Sequence, residues 1–373
     1  MKPAIYLALA AALAFVQPAF SQETVKVGSI EGLSGPIAKY GVPIRHGIEL
    51  ATDEVNSKGG VLGGRKIEMI FEDSAGQKDQ ALNAMKKLLA RDRVIAVIGP
   101  TLSNEMFAAG PAAVERQIPA IGTSTTADGI TDIGEWIFRT AMPEADVIPV
   151  TVATVKKRYG IKRVALMYSN DDAFTKSGFD IMKAAVEKQG LEIATIESFS
   201  TKDTDFSAQL TKIKGLNVDA IGVSALAEAG AGVVLQARQL GIAPSVVMFG
   251  GNGFNSPKVA EIAGKAAEGF MVGTPWFIGK KDPLNQQFVA AYKQKFNEEP
   301  DQFAAQAYDT LFILAEAIER AGTTENIKLR EALLKTDHKG VLGPFRFTPH
   351  RDPASTEGVV VLAVKNGKFD TLD

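Results

Sequence analysis

Hydroxyl side chains gather where two apolar runs end. The run 94–98 stops at Gly99-Pro100, and Ser103 follows where the next helix starts, with Asn104 and Glu105 in its first turn. A helix start leaves N–H groups without partners and carries partial positive charge, so it suits a carboxylate. The same serine would also serve as a plain N-cap. A second cluster, Gly122-Thr123-Ser124-Thr125-Thr126, follows the next apolar run. Open α/β sheets hold ligands at such carboxyl ends of strands. An ordinary turn also uses Ser and Thr in this way.

Residues for breaking bonds are harder to find. The chain has no cysteine, which excludes a thiol nucleophile, a thiolate metal site and a disulfide framework. Its three histidines, His46, His338 and His350, stand far apart in sequence. The segment 59–66 resembles a phosphate loop only loosely, because Gly-Arg stands where Gly-Lys-Ser/Thr is required and a strand follows. No G-x-S-x-G, H-E-x-x-H or G-x-G-x-x-G occurs. Asp171-Asp172 would suit a metal, but a solvated loop would use them equally well. These absences favour binding and release over catalysis.

The elements that must position the hydroxyls alternate. Strands are expected at 25–30, 66–71, 94–98, 163–168, 192–199, 220–223 and 246–249, with helices at 43–56, 77–91, 174–189, 206–214 and 230–240 between them. Continuous apolar strands such as 94–98 suit a parallel sheet covered on both faces, and the alternation implies α/β units with right-handed crossovers. Late helices are expected at 283–297 and 302–321, then strands at 344–348 and 358–364. At 373 residues the chain is long for one core, so two lobes are expected. A formal charge of −2 steers toward neither nucleic acid nor anionic lipid.

The first residues read as an address. Lys2, the uncharged apolar run 5–16 and the small-x-small triplet Ala19-Phe20-Ser21 form a secretory signal peptide, 1–21, leaving Gln22 as the mature N-terminus. No other stretch approaches the roughly 18 apolar residues of a membrane span. Without cysteine there is no lipid anchor on that residue, so the periplasm is the expected compartment.

Several short pieces, in order, carry a family resemblance: Gly32-Leu33-Ser34-Gly35-Pro36 with Tyr40-Gly41, Asn56-Ser57-Lys58-Gly59-Gly60, Ile98-Gly99-Pro100 with Ser103, Thr123 to Thr126, Gln236-Ala237-Arg238-Gln239-Leu240-Gly241, and Tyr308-Asp309. Together they resemble the leucine/isoleucine/valine-binding type of periplasmic binding protein, the receptor family ligand-binding region. The resemblance covers nearly all of the mature chain. It implies a two-lobe type I α/β fold, each lobe a mostly parallel sheet flanked by helices, with three hinge crossings and a ligand in the cleft. The lobes would be 22–141 plus 275–346, and 142–274 plus 347–373. The resemblance further implies a monomeric, non-enzymatic receptor without metal or cofactor, which delivers its ligand to the permease and ATPase subunits of an ABC importer. A sensory receptor of the same fold is the rival.

Residue roles follow from the same resemblance. Ser103 would hold the ligand carboxylate through its hydroxyl and N–H. Thr126 would give an N–H to the carboxylate and its hydroxyl to an amino group, and Ser124 would offer a carbonyl to that group; Thr125 lies between them. Tyr40 would line the cleft from the first lobe, and Phe174 falls where the family has a tyrosine from the second. Two departures matter. Asn252, in Gly250-Gly251-Asn252-Gly253-Phe254, stands where amino-acid binders carry the acid that pairs with the ammonium. Leu226, in Ser224-Ala225-Leu226, stands near an expected tyrosine. Phe254 and Trp276 would add aromatic surface, although Trp276 would equally pack a hinge. The expected ligand is therefore a small carboxylate with an aromatic body, of benzoate or cinnamate type, rather than a branched-chain amino acid. Glu228 is the acid that would restore an ammonium site if it reached the cleft.

Overall fold

The computed structural model describes residues 23–354 and 358–372. The expected signal peptide therefore lies outside the described residues. Elements follow in the order β1 (Val25–Glu31), α1 (Ala38–Ser57), β2 (Ile67–Asp73), α2 (Lys78–Lys87), β3 (Val97–Ile98), α3 (Ser103–Arg116), β4 (Ala120–Gly122) and β5 (Ile137–Arg139). Then come α4 (Glu144–Tyr159), β6 (Arg163–Ser169), α5 (Ala173–Lys188), β7 (Glu192–Phe199), α6 (Ser207–Lys214), β8 (Ala220–Ser224), α7 (Ala227–Gln239), β9 (Val247–Gly250), α8 (Pro257–Ala263) and β10 (Met271–Thr274). The chain continues through α9 (Pro283–Phe296), α10 (Gln302–Ala321), α11 (Asn326–Leu334), β11 (His338–Gly340), β12 (Gly343–Phe345), β13 (Val360–Lys365) and β14 (Lys368–Thr371).

Two large sheets organise these elements, and β11 and β12 form a separate antiparallel ribbon. The first has the order β2-β1-β3-β4-β5 and is parallel throughout. The second has the order β14-β13-β10-β9-β8-β6-β7, parallel except where β13 and β14 add an antiparallel edge. Helices α9, α10 and α11 return to the first lobe, where α10 packs along α1. That packing is close because Gly47 has no side chain; a Cβ there would lie 2.2 Å from the Ala304 carbonyl oxygen.

Helix α1 begins five residues before the expected start at Pro43. Proline favours a first turn, but here it sits inside the helix, and the turn before it is held by Gly41, whose backbone abuts Gly32. A Cβ on Gly41 would lie 2.2 Å from the Gly32 carbonyl oxygen. The earlier start brings Tyr40 onto the helix and buries it at 3% exposure.

The third crossing also falls later than 346. Phe347 packs edge-on to Phe138 of β5, with ring centroids 5.1 Å apart, and Asp352 pairs with Arg139 at 2.7 Å. Arg351 donates to the carbonyls of Ile137 and Thr131. Residues 347–353, expected in the second lobe, therefore lie on the first. The cause is the buried Arg139 guanidinium, which needs an anion that Asp352 provides. Only from β13 onward does the chain enter the second sheet.

Asp171 and Asp172 act as loop and cap. Asp172 accepts from Thr175 N–H at 3.0 Å at the start of α5, and Asp171 accepts from Ser200 and Thr201. Among the described residues no cluster of acids and histidines could hold a metal ion, and no helix is long and apolar enough to cross a membrane.

Candidate binding cleft

The lobes are closed on one another, and the contacts that close them are polar. Tyr40 Oη donates to the Gly253 carbonyl at 3.2 Å and accepts from Ala227 N–H at 2.7 Å. Ala227 is the first residue of α7, whose opening N–H groups have no carbonyl within the helix to receive them. The tyrosine thus caps a second-lobe helix from the first lobe. Asn104 of α3 reaches Asp172 and accepts from Ala173 N–H at 3.0 Å, and Asp128 N–H donates to Ser177 at 2.9 Å. Lys39 and Glu228 pair at 2.8 Å.

Between the lobes lies a narrow cavity of about 30 Å³, tightly enclosed by side chains of both. The first lobe contributes Tyr40, Thr101, Leu102, Ser103, Ser124, Thr126, Phe303 and Gln306; the second contributes Phe174, Leu226, Asn252 and Gly253. Gln302 lines it beside the second crossing. None of these lining side chains is an Asp, Glu, Lys, Arg or His. Tyr40 and Phe303 meet edge to face with centroids 4.9 Å apart, and Phe174 packs against Gly253 from the other side.

Of the residues expected at the site, Tyr40, Ser103, Ser124, Thr126, Phe174, Leu226 and Asn252 come together here. Two do not. Thr125 is buried beneath the loop, its side chain against Gly122. Phe254 is the larger correction: it lies in the second-lobe core, tilted against Phe270 with centroids 5.3 Å apart. Its ring fills a hollow left by two glycines, since a Cβ on Gly230 or Gly250 would lie 1.8 or 2.4 Å from its ring atoms. Trp276 packs the second crossing instead, donating from Nε1 to Asn285 at 2.7 Å. Glu228 pairs with Lys39 outside the cavity and is not among its lining residues.

Ser103 is the first residue of α3 and not its N-cap, which is Leu102; Glu105 accepts from the Leu102 N–H at 2.9 Å. The serine hydroxyl is thereby spared from capping. Its oxygen accepts from Ala127 N–H at 3.3 Å, which leaves the O–H proton free to donate to an anion. Ser124 donates to the Thr101 carbonyl at 2.6 Å and ties the two loops together.

Buried carboxyls stand behind this lining. Burial pushes Glu31 up to about 8, although hydrogen bonds from Thr101 and Ser29 act against it. Burial likewise pushes Glu105 up to about 7 and Glu144 up to about 8, in the latter case against an N–H bond from Asn252. Burial thus favours the protonated form of Glu31 and Glu144, which lessens repulsion of an incoming carboxylate.

Sequence reasoning missed Glu144, Gln302 and Gln306. Gln302, Gln306 and Thr310 form an i, i+4, i+8 polar stripe on a mostly apolar helix, and that stripe was the available signal. Gln302 is a strut: Nε2 donates to the Asn252 carbonyl at 3.1 Å, and Oε1 accepts from Thr274 and Asn255. Glu144 lies in the first turn of α4, a helix that the sequence reading did not place, and nothing local says that the loop of Asn252 folds onto it.

Comparisons with known proteins agree with this architecture. The sequence profile of the periplasmic binding protein family matches residues 24–368. The leucine-, isoleucine-, valine-, threonine- and alanine-binding protein of Pseudomonas aeruginosa is 28% identical over 92% of this chain and 94% of its own length. A leucine-binding protein of Thermotoga maritima superposes with a TM-score of 0.87 at 29% identity, covering 94% of this chain and 98% of that one. An ABC-transporter solute-binding protein of Rhodopseudomonas palustris, in complex with 3,4-dihydroxybenzoic acid, superposes with a TM-score of 0.85 at 25% identity, covering 94% and 96%.

Proposed function

We propose that the solute captured by this chain, which belongs to the periplasmic binding protein family as an ABC-type solute-binding protein and not an enzyme, is a small aromatic carboxylate without an ammonium group. The observation that carries this reading is the absence of any acidic side chain from the cavity lining, with Asn252 in the wall where a counter-charge to an ammonium would stand. An amide cannot neutralise a cation, and an unpaired ammonium in a desolvated site costs several kcal/mol.

The carboxylate would sit at the start of α3, taking the Ser103 hydroxyl and the free N–H groups there, with Thr126 beside it. The ring would lie among Tyr40, Phe174 and Phe303, with Leu226 closing the apolar wall. Binding would shift an open–closed equilibrium toward the closed form, which a permease pair driven by its ATPase subunits would then unload. The receptor would act as a monomer. The aromatic-acid complex of the Rhodopseudomonas palustris neighbour supports the ligand class.

An amino acid is the second reading. It is favoured by the binding specificities named for the Pseudomonas and Thermotoga relatives, and by the hydroxyl-rich loop 122–126. Titration calorimetry of benzoate and cinnamate against leucine, valine and phenylalanine separates the two. Aromatic acids should bind and leucine should not; tight leucine binding with no aromatic-acid response would replace the first reading by the second. A thermal-shift screen gives the same answer quickly, since ligand at 100 times its Kd adds about 2.7 kcal/mol of stability.

A further inference from the structure

Two carbonyl oxygens in the cavity wall have no donor. Asn252 is 2% exposed and almost fully committed: its N–H donates to Glu144 at 3.0 Å, its Nδ2 to the Met142 carbonyl at 3.0 Å, and its carbonyl accepts from Gln302 at 3.1 Å. The Met142 bond fixes which way the amide faces. Oδ1 is then buried with no hydrogen-bond partner among the described residues. Gln306, 1% exposed on α10, leaves Oε1 in the same condition. Both residues line the cavity, one from each lobe. Buried acceptors of this kind are rare in folded proteins and each is costly unless a donor arrives.

We propose that Asn252 and Gln306 form an acceptor pair that selects aromatic acids carrying uncharged hydrogen-bond donors on the ring, hydroxyl or amino, over the unsubstituted acid. The proposal rests on the aromatic-carboxylate reading above and refines it. Two acceptors call for two donor hydrogens, which an aryl amine or a pair of ring hydroxyls supplies and a single hydroxyl half supplies. The two acceptors come from opposite lobes, so a ligand that serves both is bound fully only when the cleft is closed. Donor groups therefore add to closure as well as to affinity, whereas benzoate brings no donor to either oxygen. A site built around buried acceptors rejects an analogue lacking the donor more strongly than an apolar pocket rejects a change of size.

The test is calorimetric titration of the purified full-length mature protein with benzoate, the three monohydroxybenzoates, 3,4-dihydroxybenzoate and 4-aminobenzoate, with leucine alongside. At least one dihydroxy or amino acid should bind tenfold or more tightly than benzoate. That ratio should fall to about threefold or less in Gln306→Met and in Asn252→Leu, with melting temperatures recorded to show that each variant folds. Gln306→Met keeps the length and apolar stem of the side chain, so it decides the matter if Asn252→Leu does not fold. Benzoate binding as tightly as every substituted acid overturns the acceptor pair and leaves the aromatic reading standing. A donor advantage that persists in the variants also overturns it. Leucine binding with no response to any of the acids overturns both.

Discussion

Replacing Tyr40 with phenylalanine isolates the energy of closing. The hydroxyl joins the lobes twice, to Gly253 at 3.2 Å and Ala227 at 2.7 Å, and nothing else changes in the substitution. The ring contact with Phe303 at 4.9 Å survives. In the closed form the variant leaves the Ala227 N–H buried without an acceptor, which costs about 1–3 kcal/mol. In an open form that N–H and the Gly253 carbonyl meet water, so the unliganded protein loses little. The whole deficit falls on the closed state, and apparent affinity should drop by about 5- to 150-fold for every ligand alike. Calorimetry gives the affinity, small-angle scattering at saturating ligand gives the fraction closed, and thermal unfolding without ligand gives the control. Affinity within twofold of the parent would refute the reasoning, as would a loss matched by a lower melting temperature of the free protein.

Other perturbations read other parts of the site. Ser103→Ala should weaken carboxylate binding about tenfold to a hundredfold, one charge-assisted bond of roughly 1.5–3 kcal/mol, with little change in thermal unfolding. Asn252→Asp should raise leucine affinity and lower that of aromatic acids in the same calorimeter, since it supplies the missing counter-charge. Glu144 carries a pH signature. Its folded pKa, pushed up by burial from 4.5 to about 8, lies above the unfolded value, so the native state holds a proton that the unfolded chain has released. Stability from this group is fully present below about pH 4.5 and is lost as pH rises through about 8. Glu144→Gln should therefore shrink the difference in melting temperature between pH 5 and pH 8. Glu31, Glu105 and Asp301, also raised by burial, supply the slope that remains.

Much of this was legible in one dimension because the signals were local. A hydroxyl placed just after an apolar strand announces Ser103 and Thr126, and a helix that starts at Gln302 after Asp301 announces itself by its cap, with Asp301 accepting from Ala304 N–H at 3.0 Å. What stayed hidden depends on shape at a distance. Phe254 looked available for the cleft because the hollow it fills needs Gly230 of another helix as well as nearby Gly250, and only the folded chain brings the two together. The start of α1 was hidden by Pro43, whose usual preference yields to the tight seat of Gly41 on Gly32. The resemblance put residues 347–353 in the second lobe with the final strands, and the buried Arg139 that claims Asp352 lies more than 200 positions earlier. Gln306 did leave a signal, the polar stripe it forms with Gln302 and Thr310, but a stripe alone does not say that it faces a cavity.

The clasp between the lobes has a consequence for how such receptors diversify. On the second lobe, three of its partners are main-chain groups: Ala227 N–H, Gly253 C=O and Ala173 N–H. Every residue type except proline offers the first and third, and every type offers the second. Mutations that reshape the second-lobe wall, at Leu226 or Phe174 for instance, can alter which solute fits without dismantling the attachment that shuts the cleft. At those wall positions a change of cargo leaves the main-chain half of the clasp in place, whereas Tyr40, which both lines the cavity and joins the lobes, cannot change without touching both.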